Sequence, residues 1–301
     1  MSGIPIWDHR WIAKALVQKT SSKLGLLPMY HVAQRVLGRL KNFDPKDRLQ
    51  YAGKIAADIG VETIEGARVV EIGTGWVPVV PMGMHLLGAA SIETFDLSRH
   101  LQPELSEQAL LMLTQHLGEL SQRSGARLVG LQNRLSLVPR GSWQEIAHHM
   151  RLVYRAPDDF RYSGLPDASA DIVYSNLVLE HISPEILTGV LRECRRILKP
   201  GGVMWHNVDF TDHYSHTFKS LSPMNFLRYS RGLWDFASND ILYMNRMRRI
   251  DYVRAFNAAG FSVTKEVPYS MADERMVRVH PDFERYPEEE LRCKACRFVL
   301  V

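Results

Sequence analysis

Apolar positions along the chain follow two regimes, and the change between them comes near residue 67. Before it the spacing is helical. Leu49, Ala52, Ala56 and Ile59 recur on one face of a segment that Asp47 is placed to cap. Ile12, Leu16, Val32, Val36 and Leu40 recur in the same way, and Lys14, Lys19, Lys23, Arg35 and Arg39 between them are expected to form a solvated basic face. Residues 1–60 are thus expected to be an N-terminal helical cap, and 61–301 the main domain. After the change, short apolar strands alternate with helices. Strands are predicted over 68–72, 91–95, 151–154, 170–175 and 203–208, with helices over 79–87, 185–198 and 251–260, and a closing strand pair over 261–267 and 291–301. Such alternation predicts a doubly wound α/β fold, a mostly parallel sheet covered by helices on both faces.

Two stretches exceed what a crossover needs. Residues 97–150 form a helical insertion after the second strand, in which Leu110, Leu113, Leu117 and Leu120 make a packing stripe. Residues 209–252 form a second insertion. It holds Phe218, Phe226, Tyr229, Trp234, Phe236 and Tyr243 together with Asn239, Asn245, Arg246, Arg248 and Arg249, a mixture suited to an organic acceptor pocket or to helices packed over the sheet.

Composition narrows this little: 301 residues, 46% hydrophobic and 23% charged, describe an ordinary globular enzyme. A net charge of +4 without basic blocks argues against a nucleic-acid partner. No apolar run reaches the roughly 18 residues that span a bilayer, and the N-terminus lacks the apolar stretch of a secretory signal. The expectation is therefore a cytoplasmic protein without stable membrane insertion. Cys293 and Cys296 lie three apart in a strand-like run with no second ligand pair, which reads as core rather than a zinc or redox site.

The chemistry collects at strand ends. Val69-Val70-Glu71-Ile72-Gly73-Thr74-Gly75 is a strand running into a tight turn that lets backbone approach a ligand. Asp96, 23 residues beyond Gly73, ends the second strand, where a carboxylate can accept two ribose hydroxyls. Asp159 and Phe160 follow the third strand, where an acid can meet an adenine amino group and a ring can stack on the base. Asn176 is the polar tip of the fourth strand, followed by Leu179-Glu180-His181.

In this order, with Phe95-Asp96-Leu97-Ser98, Leu165-Pro166-Asp167 through Asn176 and Ile197-Leu198-Lys199-Pro200-Gly201-Gly202, the series resembles the class I S-adenosylmethionine-dependent methyltransferases over residues 67–208. The resemblance implies a Rossmann-like seven-stranded sheet with S-adenosyl-L-methionine as cofactor. Glu71, Gly73, Thr74 and Gly75 would surround its methionine part, Asp96 and Leu97 its ribose, Asp159 and Phe160 its adenine, with Asn176 completing the set. One departure is Val77 followed by Pro78 where the family often has a third glycine; the same feature disfavours a dinucleotide site.

Methyl transfer is an in-line displacement that needs alignment, dryness and, for a hydroxyl acceptor, a base. His213 is the preferred base, with Asp209 or Asp212 to orient it, and His216 and His181 are further candidates. Asp209, Asp212, His213 and His216 are also ligand types, although no metal is expected there. The expected function is methylation of a small organic acceptor, a hydroxyl of a natural product or sugar. The alternatives are N- or S-methylation, or an S-adenosylmethionine-binding regulatory protein without turnover. A homodimer through the helical parts is a further expectation.

Overall fold

The computed structural model describes residues 10–24, 46–271 and 277–301, with the side chains of 46 and 47 outside that description. Val32, Arg35, Val36, Arg39, Leu40 and the Asp47 cap therefore lie outside the described residues. Seven strands form one sheet: β1 Arg68–Ile72, β2 Ser91–Phe95, β3 Leu152–Arg155, β4 Ala170–Asn176, β5 Leu198–Asp209, β6 Val263–Met271 and β7 Cys293–Leu300. Their order is β3-β2-β1-β4-β5-β7-β6. All neighbours run parallel except β7, which lies antiparallel between β5 and β6. The doubly wound, mostly parallel sheet expected from the sequence is present. The chain reverses its direction of travel across the sheet between β1 and β4, so the crevice beyond their carboxyl ends is where such a fold takes a ligand.

Alternation along the strands divides the core. Val69, Ile92, Ile172, Tyr174 and Trp205 face helices Lys46–Ile59 and Val79–Leu86 and the insertion's Leu113, Leu117, Leu120 and Leu131. Val70, Ile72, Phe95, Val173 and Met204 face the other way. There they meet helix Pro184–Ile197, whose Leu187, Val190, Leu191, Cys194 and Ile197 recur at helical spacing behind a Ser183 cap and Pro184. Strand β5 starts at Leu198, earlier than expected, because Lys199-Pro200-Gly201-Gly202 enters the sheet through a register shift opposite Ala170 and Ile172. Cys293 and Cys296 are buried in β7 as free thiols, as expected of core residues.

The described N-terminal helices serve different partners. Helix Lys46–Ile59 is pinned to the sheet by Asp58, buried at its end, which accepts hydrogen bonds from Trp205 Nε1 and Arg297 Nε and pairs with Lys265. Helix Arg10–Lys23 instead inserts Trp11 among Tyr214, Tyr229 and Trp234. The expected solvated basic face is corrected here. Lys14 donates to Thr217 and Lys19 to the Phe236 carbonyl, each lying over the phenyl ring of residue 218 or 236. The lysines tie the helix to the second insertion. Among the described residues no helix is long and apolar enough to cross a membrane.

Candidate active site at the strand ends

The β1 strand ends in a loop shaped by two left-handed glycines, Gly73 (φ +82°) and Gly75 (φ +73°). Their surroundings differ. A Cβ on Gly73 would lie 2.3 Å from Val178 Cγ2, whereas one on Gly75 would meet nothing within 4 Å. Gly73 is fixed by packing, and Gly75 borders open space. Gly73→Ala is therefore expected to cost more than about 2 kcal/mol, through both φ and overlap. Gly75→Ala should cost roughly 1 kcal/mol, the left-handed conformation alone. Denaturant titration of the two variants checks this, and equal losses would show that the loop is not as described.

Around this loop the polar side chains are held in place. Asp96 is buried at the end of β2, and its Oδ2 accepts from Gly75 N at 3.1 Å and from the Tyr154 hydroxyl at 3.0 Å. Tyr154 in turn accepts from the amides of His100 and Leu101, which fixes the chain leaving β2. Burial outweighs these donors and raises the Asp96 carboxyl to about 6. Glu71 is buried beside Tyr174 and Thr74, and one of its oxygens has no hydrogen-bond partner. Burial, with the Asp96 charge adding to it, pushes its carboxyl up to about 8. A free acid there is poised to ionise against a cationic ligand. Thr74 spends its hydroxyl on Thr94, 2.5 Å away. Leu97, next to Asp96 in the chain, is 74% exposed.

Beyond β3 the structure corrects one reading. Phe160 is only 5% exposed, its ring packed edge-on against Phe95 at 5.2 Å in the core, so it cannot stack on a base. The exposed ring of that turn is Tyr162, at 77%. Asp159 is bound twice over by Arg161, at 3.0 Å through Nε and 2.5 Å through Nη2, which holds its carboxyl below the usual range. An adenine amino group would share that carboxylate with the guanidinium.

The tips of β4 and β5 form the other wall. Tyr269 donates to Asn207 Oδ1, Asn207 Nδ2 donates to Asn176 Oδ1, and Asn176 Nδ2 is left buried without a partner. Leu177 then takes a left-handed φ of +59°, held by its amide on the Asn207 carbonyl. For a leucine this is strain of about 1 kcal/mol, kept at the point where the chain turns into the Leu179–His181 turn.

Four titratable side chains meet past that turn. His213 Nε2 lies 3.3 Å from Asp209 Oδ2, His181 sits edge-on to His213 at 5.0 Å between ring centres, and His216 stacks on His213 at 4.9 Å. Burial alone would raise Asp209, but His213 and Thr211 more than offset it and hold its carboxyl below the usual range. Desolvation, with His213 beside it adding to the effect, lowers the His181 pKa although the residue is exposed, and its Nδ1 lies on the Tyr243 carbonyl at 2.7 Å. Asp212 points away from this group: its carboxylate accepts from Asn225 Nδ2 and Tyr214 N in the core. Of the two acids expected to orient His213, only Asp209 lies beside it, 3.3 Å from Nε2.

The aromatic second insertion is mostly packing. Phe226, Tyr229 and Trp234 are buried with Trp11, and Phe236 lies outside. Its polar groups are also occupied. Arg246 donates to the Tyr229 carbonyl, Arg249 pairs with Glu266 and Glu290, and buried Arg248 donates to the carbonyls of Phe210, Glu290 and Cys293. Of the two readings of this segment, packing over the sheet is the one these side chains serve here. Sequence reasoning missed Tyr154, Glu180, Asn207 and Tyr269; only Glu180, an acid inside an apolar turn, left a sequence signal.

The strand order is that of a doubly wound, Rossmann-like sheet, with the acid-tipped glycine loop at the edge where such a fold takes a ligand. A family model described as a methyltransferase domain matches residues 116–206, from the first insertion into β5. A sterol 24-C-methyltransferase of Yarrowia lipolytica is 35% identical over 101 residues, 33% of this chain and 26% of that protein, so the match spans about a quarter of the relative's length. Among solved structures, an S-adenosylmethionine-dependent methyltransferase from Mesorhizobium loti is similar at 16% identity, with a TM-score of 0.46 over 83% of this chain and 97% of that one. Magnesium protoporphyrin IX methyltransferase from Synechocystis PCC 6803 is similar at 11% identity, with a TM-score of 0.46 over 96% and 98%.

Proposed function

We propose that this protein transfers the methyl group of S-adenosylmethionine to a small organic acceptor, and that the acceptor atom is a hydroxyl oxygen. The observation that carries the reading is the pairing of Asp96 with the Gly75 amide, which sets a buried carboxylate beside a glycine open to the crevice. In this reading Asp96 holds the ribose, with Leu97 against it, and Glu71 faces the cationic methionine part across Gly73, Thr74 and Gly75. Asn176 offers its unpartnered Nδ2 to the cofactor. Asp159 takes the adenine amino group. A positively charged sulfonium and ammonium favour ionised Glu71, so cofactor binding releases a proton there.

The methyl carbon is already activated, so the protein's work is to align the acceptor, exclude water and remove the acceptor's proton. His213, with Asp209 beside it, is the base; His216 stacks behind it, and neutral His181 borders the same space. Oxygen is favoured over sulfur or nitrogen because a thiolate or free amine needs no such base. The similarity to a sterol-methylating enzyme supports an organic rather than a polymeric acceptor. The test is a transfer assay with S-adenosylmethionine labelled on the methyl group and a fractionated small-molecule extract. Label is expected in an ether-forming small molecule, and label only in protein or nucleic acid would sink the reading.

A further inference from the structure

We infer that Glu180, His181 and His213, with the Asp209 carboxylate beside them, form a binding site for a divalent first-row transition-metal ion on the acceptor side of the crevice. Its binding stands on the residues alone; its role in methyl transfer rests on the function proposed above.

The donor atoms of Glu180, His181 and His213 all lie within 4.8 Å of one another. Glu180 is 3% exposed, and both its carboxylate oxygens are buried without a hydrogen-bond partner. An acid so placed is costly as an anion unless a positive charge joins it. Burial, with the Asp209 charge adding to it, drives its carboxyl well above the usual range and outweighs the backbone amides of Glu180 and Asp209 and the more distant Arg48. A dication would relieve both carboxylates at once.

The imidazoles are also set as ligands. His181 donates its Nδ1 proton to the Tyr243 carbonyl, which leaves the Nε2 lone pair free; ligating histidines are oriented by this kind of outer hydrogen bond. His213 Nε2 is buried and, although 3.3 Å from Asp209 Oδ2, makes no hydrogen bond in that direction. Asn245 fixes the turn from both ends, donating Nδ2 to the carbonyls of Leu179 and Ile182 while its amide holds the Glu180 carbonyl. The neighbouring Met244 sulfur accepts the His213 amide. One short segment, residues 243–245, thus positions all three ligands.

Two imidazoles with carboxylates suit zinc, manganese or iron(II) and disfavour magnesium or calcium, which prefer all-oxygen shells. Bonds of about 2 Å would draw the donors to about 3.3 Å apart, an inward adjustment of side chains. With His213 on the ion, the role of base passes from it to His216 or water: an acceptor hydroxyl bound there would give up its proton to one of these, its oxygen pair would form the bond to the methyl carbon, and the carbon–sulfur pair would return to sulfur as a neutral thioether.

The full-length protein, stripped by chelator and dialysed, is titrated with Zn²⁺ alone and with Co²⁺ as an optical probe. One ion per chain is expected, with visible Co²⁺ absorption. Glu180→Gln and Asp209→Asn should each weaken it at least tenfold while circular dichroism and S-adenosylmethionine affinity stay as in the wild type. No stoichiometric ion in the wild type, or one held equally by both variants, overturns the site. Stripped protein that binds cofactor and turns over fully overturns the ion's catalytic role and leaves the proposed function standing. Ion binding without cofactor binding does the reverse.

Discussion

Replacing Asp96 with alanine is expected to weaken S-adenosylmethionine binding by two to four orders of magnitude. A carboxylate holding two ribose hydroxyls makes two charge-assisted hydrogen bonds, about 1.5–3 kcal/mol each, and each 1.4 kcal/mol is about tenfold. The variant also strands Gly75 N and the Tyr154 hydroxyl, which both now point at Asp96 Oδ2, so the loop loses its brace as well. Asp96→Asn keeps the shape and should retain part of the loop's order but little of the affinity. The pH dependence follows from the same residue. Burial raises its carboxyl from 3.8 to about 6, so the anion that binds ribose is lost as pH falls through about 6, and affinity falls with it. Stability of the free protein runs in the opposite sense. A folded value above the unfolded one gives a contribution that is full below about pH 3.8 and lost as pH rises through about 6. Calorimetry at pH 5 and pH 7.5 reads the first effect; affinity unchanged by Asp96→Ala would remove Asp96 from the site.

His213→Ala should lower turnover by about 10²–10⁴, the usual worth of a positioned base, with cofactor affinity within about twofold of the wild type. His213 sits with Asp209 and His216, apart from the Asp96–Gly75 pair, which is why the two constants should separate. His216→Ala is expected to cost less, since its Nε2 already lies 3.5 Å from Thr211. Turnover unchanged in His213→Ala would place proton removal elsewhere. Turnover lost in His213→Ala yet indifferent to chelation would make His213 a base rather than a metal ligand.

The sheet was legible because its signals are local. Apolar runs such as Val69–Ile72 and Ile172–Tyr174, ended by Gly73 or Asn176, carry both strand and boundary in one short window. The acids at strand tips were legible for the same reason: Asp96 stands where a parallel strand must stop. What was not legible depends on distant partners. Nothing near Phe160 reveals that Phe95 takes its ring, and nothing near Lys14 or Lys19 reveals residues 217 and 236. The aromatic residues of 218–252 looked like a pocket because walls and cores share composition; Trp11, more than 200 positions away, makes them a core. Glu180 was visible but unread, because its isolation exists only once Asp209 and the histidines have been folded around it.

The most direct measurement is a calorimetric titration of the wild-type protein with S-adenosylmethionine near pH 7.5. One cofactor per chain is expected, with proton release that makes the binding heat vary with the buffer, because Glu71 ionises from a value near 8. A titration without binding heat in any buffer, supported by no thermal stabilisation at millimolar cofactor, would contradict the assignment of this crevice.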